Sequence, residues 1–144
     1  MEPASIPETI RTIIKQAGGL GLRGAFTYVG AQQFRYRCSQ AEGEYRSGFR
    51  SRLTSEGGPP RVEFDVGLMA RVNGKPGRAW TLIIVYEPDD TYTVWLVEAH
   101  VRRKPDSMVL ACVLDVYCDT LQSVIEDTYD RAIAEHNGGF IPLG

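Results

Sequence analysis

Arg35, Arg37, Arg46, Arg50 and Arg52 are the residues of this sequence whose type and spacing suggest chemistry most directly. On extended backbone, side chains alternate between the two faces with a period of two. Arg35 and Arg37 therefore share one side of segment 33–38, opposite Phe34, Tyr36 and Cys38. In segment 45–53, Arg46, Arg50 and Arg52 share one side, opposite Phe49 and Leu53. Ser39-Gln40-Ala41-Glu42-Gly43 lies between the two segments and has the composition of a turn. If the two arms pair as a hairpin, five guanidinium groups gather on one surface about 10 Å wide. A guanidinium is a planar fork of donors that matches carboxylate and phosphate oxygens two at a time. The pattern predicts a non-enzymatic binding protein that docks an anionic partner. Nucleic acid is one candidate, with a steep salt dependence; an acidic protein surface is the other. The chain itself offers such a surface in Glu126, Asp127, Asp130 and Glu135. The plain reading is a solvated hairpin face whose charges pair internally at little energetic gain.

The alternative is a small enzyme or ligand carrier with a pocket between sheet and helices, lined by Trp80, Tyr92, Trp95, Glu98 and His100. Glu98 and His100 fall on one face of a strand together with Tyr92, and a carboxylate beside an imidazole can orient a general base. No serine or cysteine is tied to them by spacing, so no catalytic residue is assigned. Gly19-Leu20-Gly21-Leu22-Arg23-Gly24 spells a dinucleotide-binding pattern, but it follows a helix and precedes a predicted strand. That is the reverse of the strand-to-helix context in which such glycines hold a pyrophosphate, so it reads as a helix stop and no cofactor is expected. The carboxylates Glu63 and Asp65 share a predicted strand face and read as solvated. The two histidines, His100 and His136, have no paired ligand spacing, and no metal site is expected. His136 reads as a helix C-terminal cap.

With 144 residues, 43% hydrophobic and 24% charged, the chain is one globular domain's worth. No run approaches the length of a membrane helix, and no secretory leader is visible at the start. Three cysteines, Cys38, Cys112 and Cys118, give neither a disulfide framework nor a zinc knuckle, and read as reduced, mostly buried thiols in a cytoplasmic setting. The net charge of −2 is unevenly spread: residues 1–60 carry 8 Lys+Arg against 5 Asp+Glu, and residues 61–144 carry 8 against 13.

The elements that must position these residues follow from periodicity. A helix over about 6–17 is opened by a capping-box pattern at Ser5 to Glu8, carries Ile10, Ile13, Ile14 and Ala17 on one stripe, and stops at Gly18-Gly19. Strands follow at about 24–29, 33–38, 45–53, 61–72, 79–86, 91–101 and 108–117. In 61–72, Val62, Phe64, Val66, Leu68, Ala70 and Val72 alternate onto one side. Segment 79–86 is apolar on both faces, as a central strand would be, and Pro88-Asp89-Asp90 reads as a type I turn. The stretch from Ser107 to Asn137 reads either as one long helix or as a strand followed by a helix at about 119–136; the length favours the second. The fold class is α+β: one domain, mainly an antiparallel meander, with an N-terminal helix and a C-terminal amphipathic helix packed on it. A sheet with apolar residues on both faces needs cover on both, which is compatible with a homodimer.

Overall fold

Ile10, Ile13 and Ala17 are fully buried on one side of α1 (Glu8–Gln16), the stripe that the helical period predicts. In the computed structural model, which describes residues 6–38, 50–55, 58–74, 79–98 and 108–136, this helix ends in a Schellman motif. Gly19 N–H donates to the Ile14 carbonyl at 2.9 Å and Gly18 N–H to Lys15 at 3.0 Å, with both glycines at positive φ (78° and 98°). Pro7 occupies the N-cap position, without a side-chain cap, and Ser5 of the expected capping box lies outside the described residues.

The predicted strand at 24–29 is instead a single helical turn, α2 (Ala25–Tyr28). Gly24 N–H bonds back to Gly21, and Ala25 N–H bonds to the Ala17 carbonyl at 3.0 Å. The chain thus turns tightly against the end of α1 and has no strand to pair with. Phe26 is buried and meets Phe34 edge to face, with ring centroids 5.3 Å apart. Phe26 therefore belongs to the core on the helix side of the sheet.

Among the described residues, seven strands follow: β1 (Gln32–Cys38), β2 (Arg52–Thr54), β3 (Arg61–Glu63), β4 (Val66–Val72), β5 (Trp80–Tyr86), β6 (Tyr92–Glu98) and β7 (Val109–Val116). The last helix is α3 (Leu121–His136). The expected meander is present as β4-β5-β6-β7, all antiparallel, with β1 added beside β4 to make five strands in the order β1-β4-β5-β6-β7. Segment 108–136 resolves as strand then helix.

Two pairings differ from expectation. Among the described residues β1 pairs with β4, while β2, the end of the second predicted arm, pairs with β3 in a separate ribbon; the turn 39–43 and residues 45–49 of the expected hairpin lie outside the described residues. The predicted strand 61–72 is broken at Phe64-Asp65, because its apolar residues serve two layers. Val62 and Phe64 pack with Ile83, Val85, Trp95, Val97 and Met108 on one face of the sheet. Val66, Leu68 and Val72 pack on the other face with Trp80, Ile84, Leu96 and the helices. On α3 the buried residues Leu121, Ile125, Thr128 and Ala132 form the stripe that meets the sheet. Each such apolar side chain stabilises the fold by about 1.5–3 kcal/mol relative to exposure. Helices thus cover one face of the sheet, and the β2–β3 ribbon covers part of the other. Among the described residues, no helix is long and apolar enough to cross a membrane.

Candidate functional site

The ribbon face holds two polar arrangements, one buried and one open. The buried one centres on Glu87, directly after β5, which continues the side of that strand bearing Ile83 and Val85. Its carboxylate is 2% exposed and is surrounded by donors. Ser51 gives its N–H at 3.0 Å and its hydroxyl at 2.6 Å, and the Thr93 hydroxyl donates at 2.6 Å. Trp95 Nε1 in turn donates to Ser51 Oγ at 2.9 Å. Arg50 completes the group: Nε stands 3.7 Å from Glu87, and Nη2 lies 2.8 Å from Asp115 and 3.7 Å from Asp89.

Asp115 is aimed at Arg50 by a bulge in β7, where its own φ is +57°. Its hydrogen bond is the main reason the Arg50 guanidinium holds its proton more firmly than usual. The arrangement is a tether: it fastens the start of the ribbon to the hairpin between β5 and β6. Ser51 meets Glu87 directly with no imidazole between them, and both are buried, so the pair is poorly built for nucleophilic catalysis. Cys112, opposite Trp95 on β7, has its thiol pushed up by burial first and by the Glu87 charge second. That is the opposite of an activated thiolate. The cysteines are less buried than expected: Cys112 and Cys118 reach the surface and Cys38 is half-buried, and all three are free thiols.

The open arrangement lies at the β1–β4 side of the same face. Arg35 stands opposite Met69 and Arg37 opposite Gly67 in the register. Gly67 has a specific task here. A Cβ at this position would come within 2.9 Å of the Phe64 ring and 2.7 Å of the Ile84 carbonyl oxygen. Its absence lets Phe64 lie over the sheet. The Arg37 guanidinium then stacks on that ring, 5.2 Å from the centroid, and Nη1 donates to the Phe64 carbonyl at 3.3 Å. Arg61, at the start of β3, faces the pair across a groove of about 400 Å³. The groove floor is apolar: Val62, Phe64, Met69, Ile83, Val97 and Met108. Among the described residues, none of Arg35, Arg37 or Arg61 forms an ion pair. Arg71 continues the row on the same side of β4, opposite Thr81.

The structure thus divides the arginines picked out by spacing. Arg35 and Arg37 share a face as expected. Arg50 is engaged by three carboxylates, Arg52 lies 3.5 Å from Glu63, and Arg46 lies outside the described residues. None of these ion pairs involves the C-terminal helix, where Asp130 instead accepts a hydrogen bond from Tyr28 at 2.8 Å. Sequence reading missed Arg61 and Arg71, although period-two alternation puts Arg71 on the side of its strand away from Leu68 and Val72. The run of glycines after α1 leads into α2 rather than into a strand, and the helix-stop reading stands.

Of the alternative pocket, Trp80 stands directly opposite Glu98 in the β5–β6 register, and the other described residues are spread over both faces of the sheet. Trp80 and Tyr92 face the helices and Trp95 faces the ribbon, while Glu98 is at the far end of β6 from Tyr92 and His100 lies outside the described residues. Of His136, only its place at the end of α3 is described. Among the described residues, no three metal-ligating side chains gather in one place. No protein-family model, curated protein or solved structure matches this chain.

Tyr92 lines a different cavity on the helix side, with Tyr86 and Tyr117. Tyr86 donates a hydrogen bond to Asp90, which holds its phenol up to about 12; burial does the same for Tyr92. Both groups bind their protons more tightly folded than unfolded. Their contribution to stability is complete below pH about 10, the ordinary phenol value, and is lost as pH rises toward about 12. An ultraviolet titration should therefore show these two phenols ionising well after an exposed one. Substituting Tyr86 and Tyr92 by Phe should remove that late component, and a spectrum unchanged by both substitutions would contradict the assignment.

Proposed function

We propose that this is a non-enzymatic binding protein and that the groove framed by Arg35, Arg37 and Arg61 docks an acidic protein surface. The observation that carries this reading is three guanidinium groups that, among the described residues, have no carboxylate partner and line a groove with an apolar floor. Charged groups without partners are inexpensive while hydrated, and hydrogen bonds to charged groups contribute about 1.5–3 kcal/mol when a carboxylate replaces water. The floor selects further. Single strands of nucleic acid are held by stacking on aromatic faces, and this floor is aliphatic except for Phe64, whose ring Arg37 already covers. An acidic segment with apolar side chains uses both parts of the groove. The free thiols fit work in a reducing compartment such as the cytoplasm.

The test is a fluorescence-anisotropy titration with a random Glu/Leu copolymer and with an oligothymidine, at low and near-physiological salt. The copolymer is expected to bind and to keep part of its affinity in salt, because burial on the floor is not screened. Tighter, steeply salt-dependent binding of the oligothymidine would replace this reading with nucleic-acid binding. Failure of both probes at low salt would end it.

A further inference from the structure

Among the described residues β1 is the end strand of the sheet and pairs with β4 alone, and every residue from Gln32 to Arg37 is exposed. An end strand presents a row of backbone N–H and C=O groups on its outer side, ready to pair with another extended chain. Proteins usually blunt such an edge. Here the irregularity lies at the start, where Gln33 has φ +56° and the register with β4 shifts between Gln32 and Arg35. From Arg35 to Cys38 the ladder with β4 runs without a shift, opposite Met69 to Val66.

The two faces of this edge differ in chemistry. Toward the groove it carries Arg35 and Arg37; toward the helix side it carries Phe34 and Tyr36, which are 41% and 43% exposed. A strand laid beside β1 places its own alternate side chains next to these residues, at cross-strand distances of about 4.5–5.5 Å between Cβ atoms. Carboxylates on every second residue would meet Arg35 and Arg37, and apolar side chains on the residues between would cover Phe34 and Tyr36. The same arginines repel a basic strand, so the edge selects as well as attracts.

We propose that the partner binds as an added β-strand along Phe34 to Cys38, and that its sequence alternates acidic and apolar residues. This rests on the reading of Arg35 and Arg37 as docking residues; it seats the partner's strand on the outer edge of β1, beside the groove rather than on its floor, and names that strand's conformation and pattern. Backbone pairing supplies affinity and the alternating side chains supply specificity.

The experiment uses a labelled peptide of alternating Glu and Val with two isomers of it, N-methylated on the odd or on the even residues. N-methylation removes the donor and leaves charge and side chains unchanged. A strand added to an edge turns only alternate N–H groups toward the protein. One isomer should therefore bind as the parent does, and the other should lose affinity at least tenfold. A parent with Ser in place of Val should bind more weakly, and Tyr36→Ser should reduce that difference. If both isomers bind like the parent while the Arg35→Glu variant binds none of them, strand addition is wrong and the groove reading survives. If the parent fails while the Glu/Leu copolymer still binds, the same conclusion holds; failure of peptide and copolymer together removes both.

Discussion

Glu87→Ala should lower stability by about 3–5 kcal/mol, the range for removing one member of a buried charged network, and the melting temperature by roughly 10 °C. The carboxylate accepts two hydrogen bonds from the Ser51 backbone and side chain and one from Thr93, and it is the anion beside Arg50 Nε, a buried atom with no hydrogen-bond partner of its own. Alanine strands all of these groups in a space that the ribbon closes from water. Glu87→Gln keeps the volume and one acceptor oxygen, and Thr93 can rotate its hydroxyl to accept from the new amide. It should therefore cost less, about 1–2 kcal/mol. Denaturant unfolding of the two variants beside the parent checks both figures. A loss below about 0.5 kcal/mol for Glu87→Ala, typical of an ordinary surface site, would mean that the tether is not formed as described.

The second large effect is on binding. Arg35→Glu combined with Arg61→Glu should weaken binding of an acidic ligand at least about 100-fold, since each reversal replaces an attraction by a repulsion and about 1.4 kcal/mol corresponds to tenfold. Stability should change by no more than about 0.5 kcal/mol, as for exposed sites away from packed features, because neither residue forms an ion pair among the described residues. Arg131→Glu, an exposed residue on α3, serves as the control for net charge and should leave affinity within about twofold under salt screening. Titration of the Glu/Leu copolymer into the three proteins measures this. Equal losses for the control and the double variant would reduce the groove to a bulk charge effect.

How much of this was legible in the sequence depends on the range of the interaction. The α1 stripe of Ile10, Ile13 and Ala17, the glycine stop after it, the doubly apolar β5 and the turn at Pro88-Asp89-Asp90 are local patterns, and each is present. Asp90 even adopts the left-handed conformation, φ +65°, that closes the turn. The segment 24–29 misled because a stretch this short fits one helical turn as well as a strand. The break at Phe64-Asp65 was invisible because alternation carries no mark of which layer an apolar residue joins. Val62 and Val66 look alike in sequence yet pack on opposite faces.

At the site, the shared face of Arg35 and Arg37 follows from period-two alternation, whereas their neighbours do not. Arg61 reaches them because β3 folds across the sheet, and Arg50 leaves them because Glu87, Asp89 and Asp115 converge from two other elements. Glu87 carried one faint signal, a charged residue closing the apolar run Leu82 to Tyr86. Its partners Ser51 and Thr93 lie on either side of it in sequence, and only the long-range pairing identifies them.

The central claim is that the partner sits in the groove between β1 and β3. It is tested most directly by amide chemical-shift mapping of the labelled protein during titration with the Glu/Leu copolymer. The account predicts saturable shifts clustered at Arg35, Arg37, Arg61, Met69 and Ile83, with α3 unchanged. Shifts confined to α3 and β7, or a protein saturated with copolymer while the groove residues stay still, would contradict it.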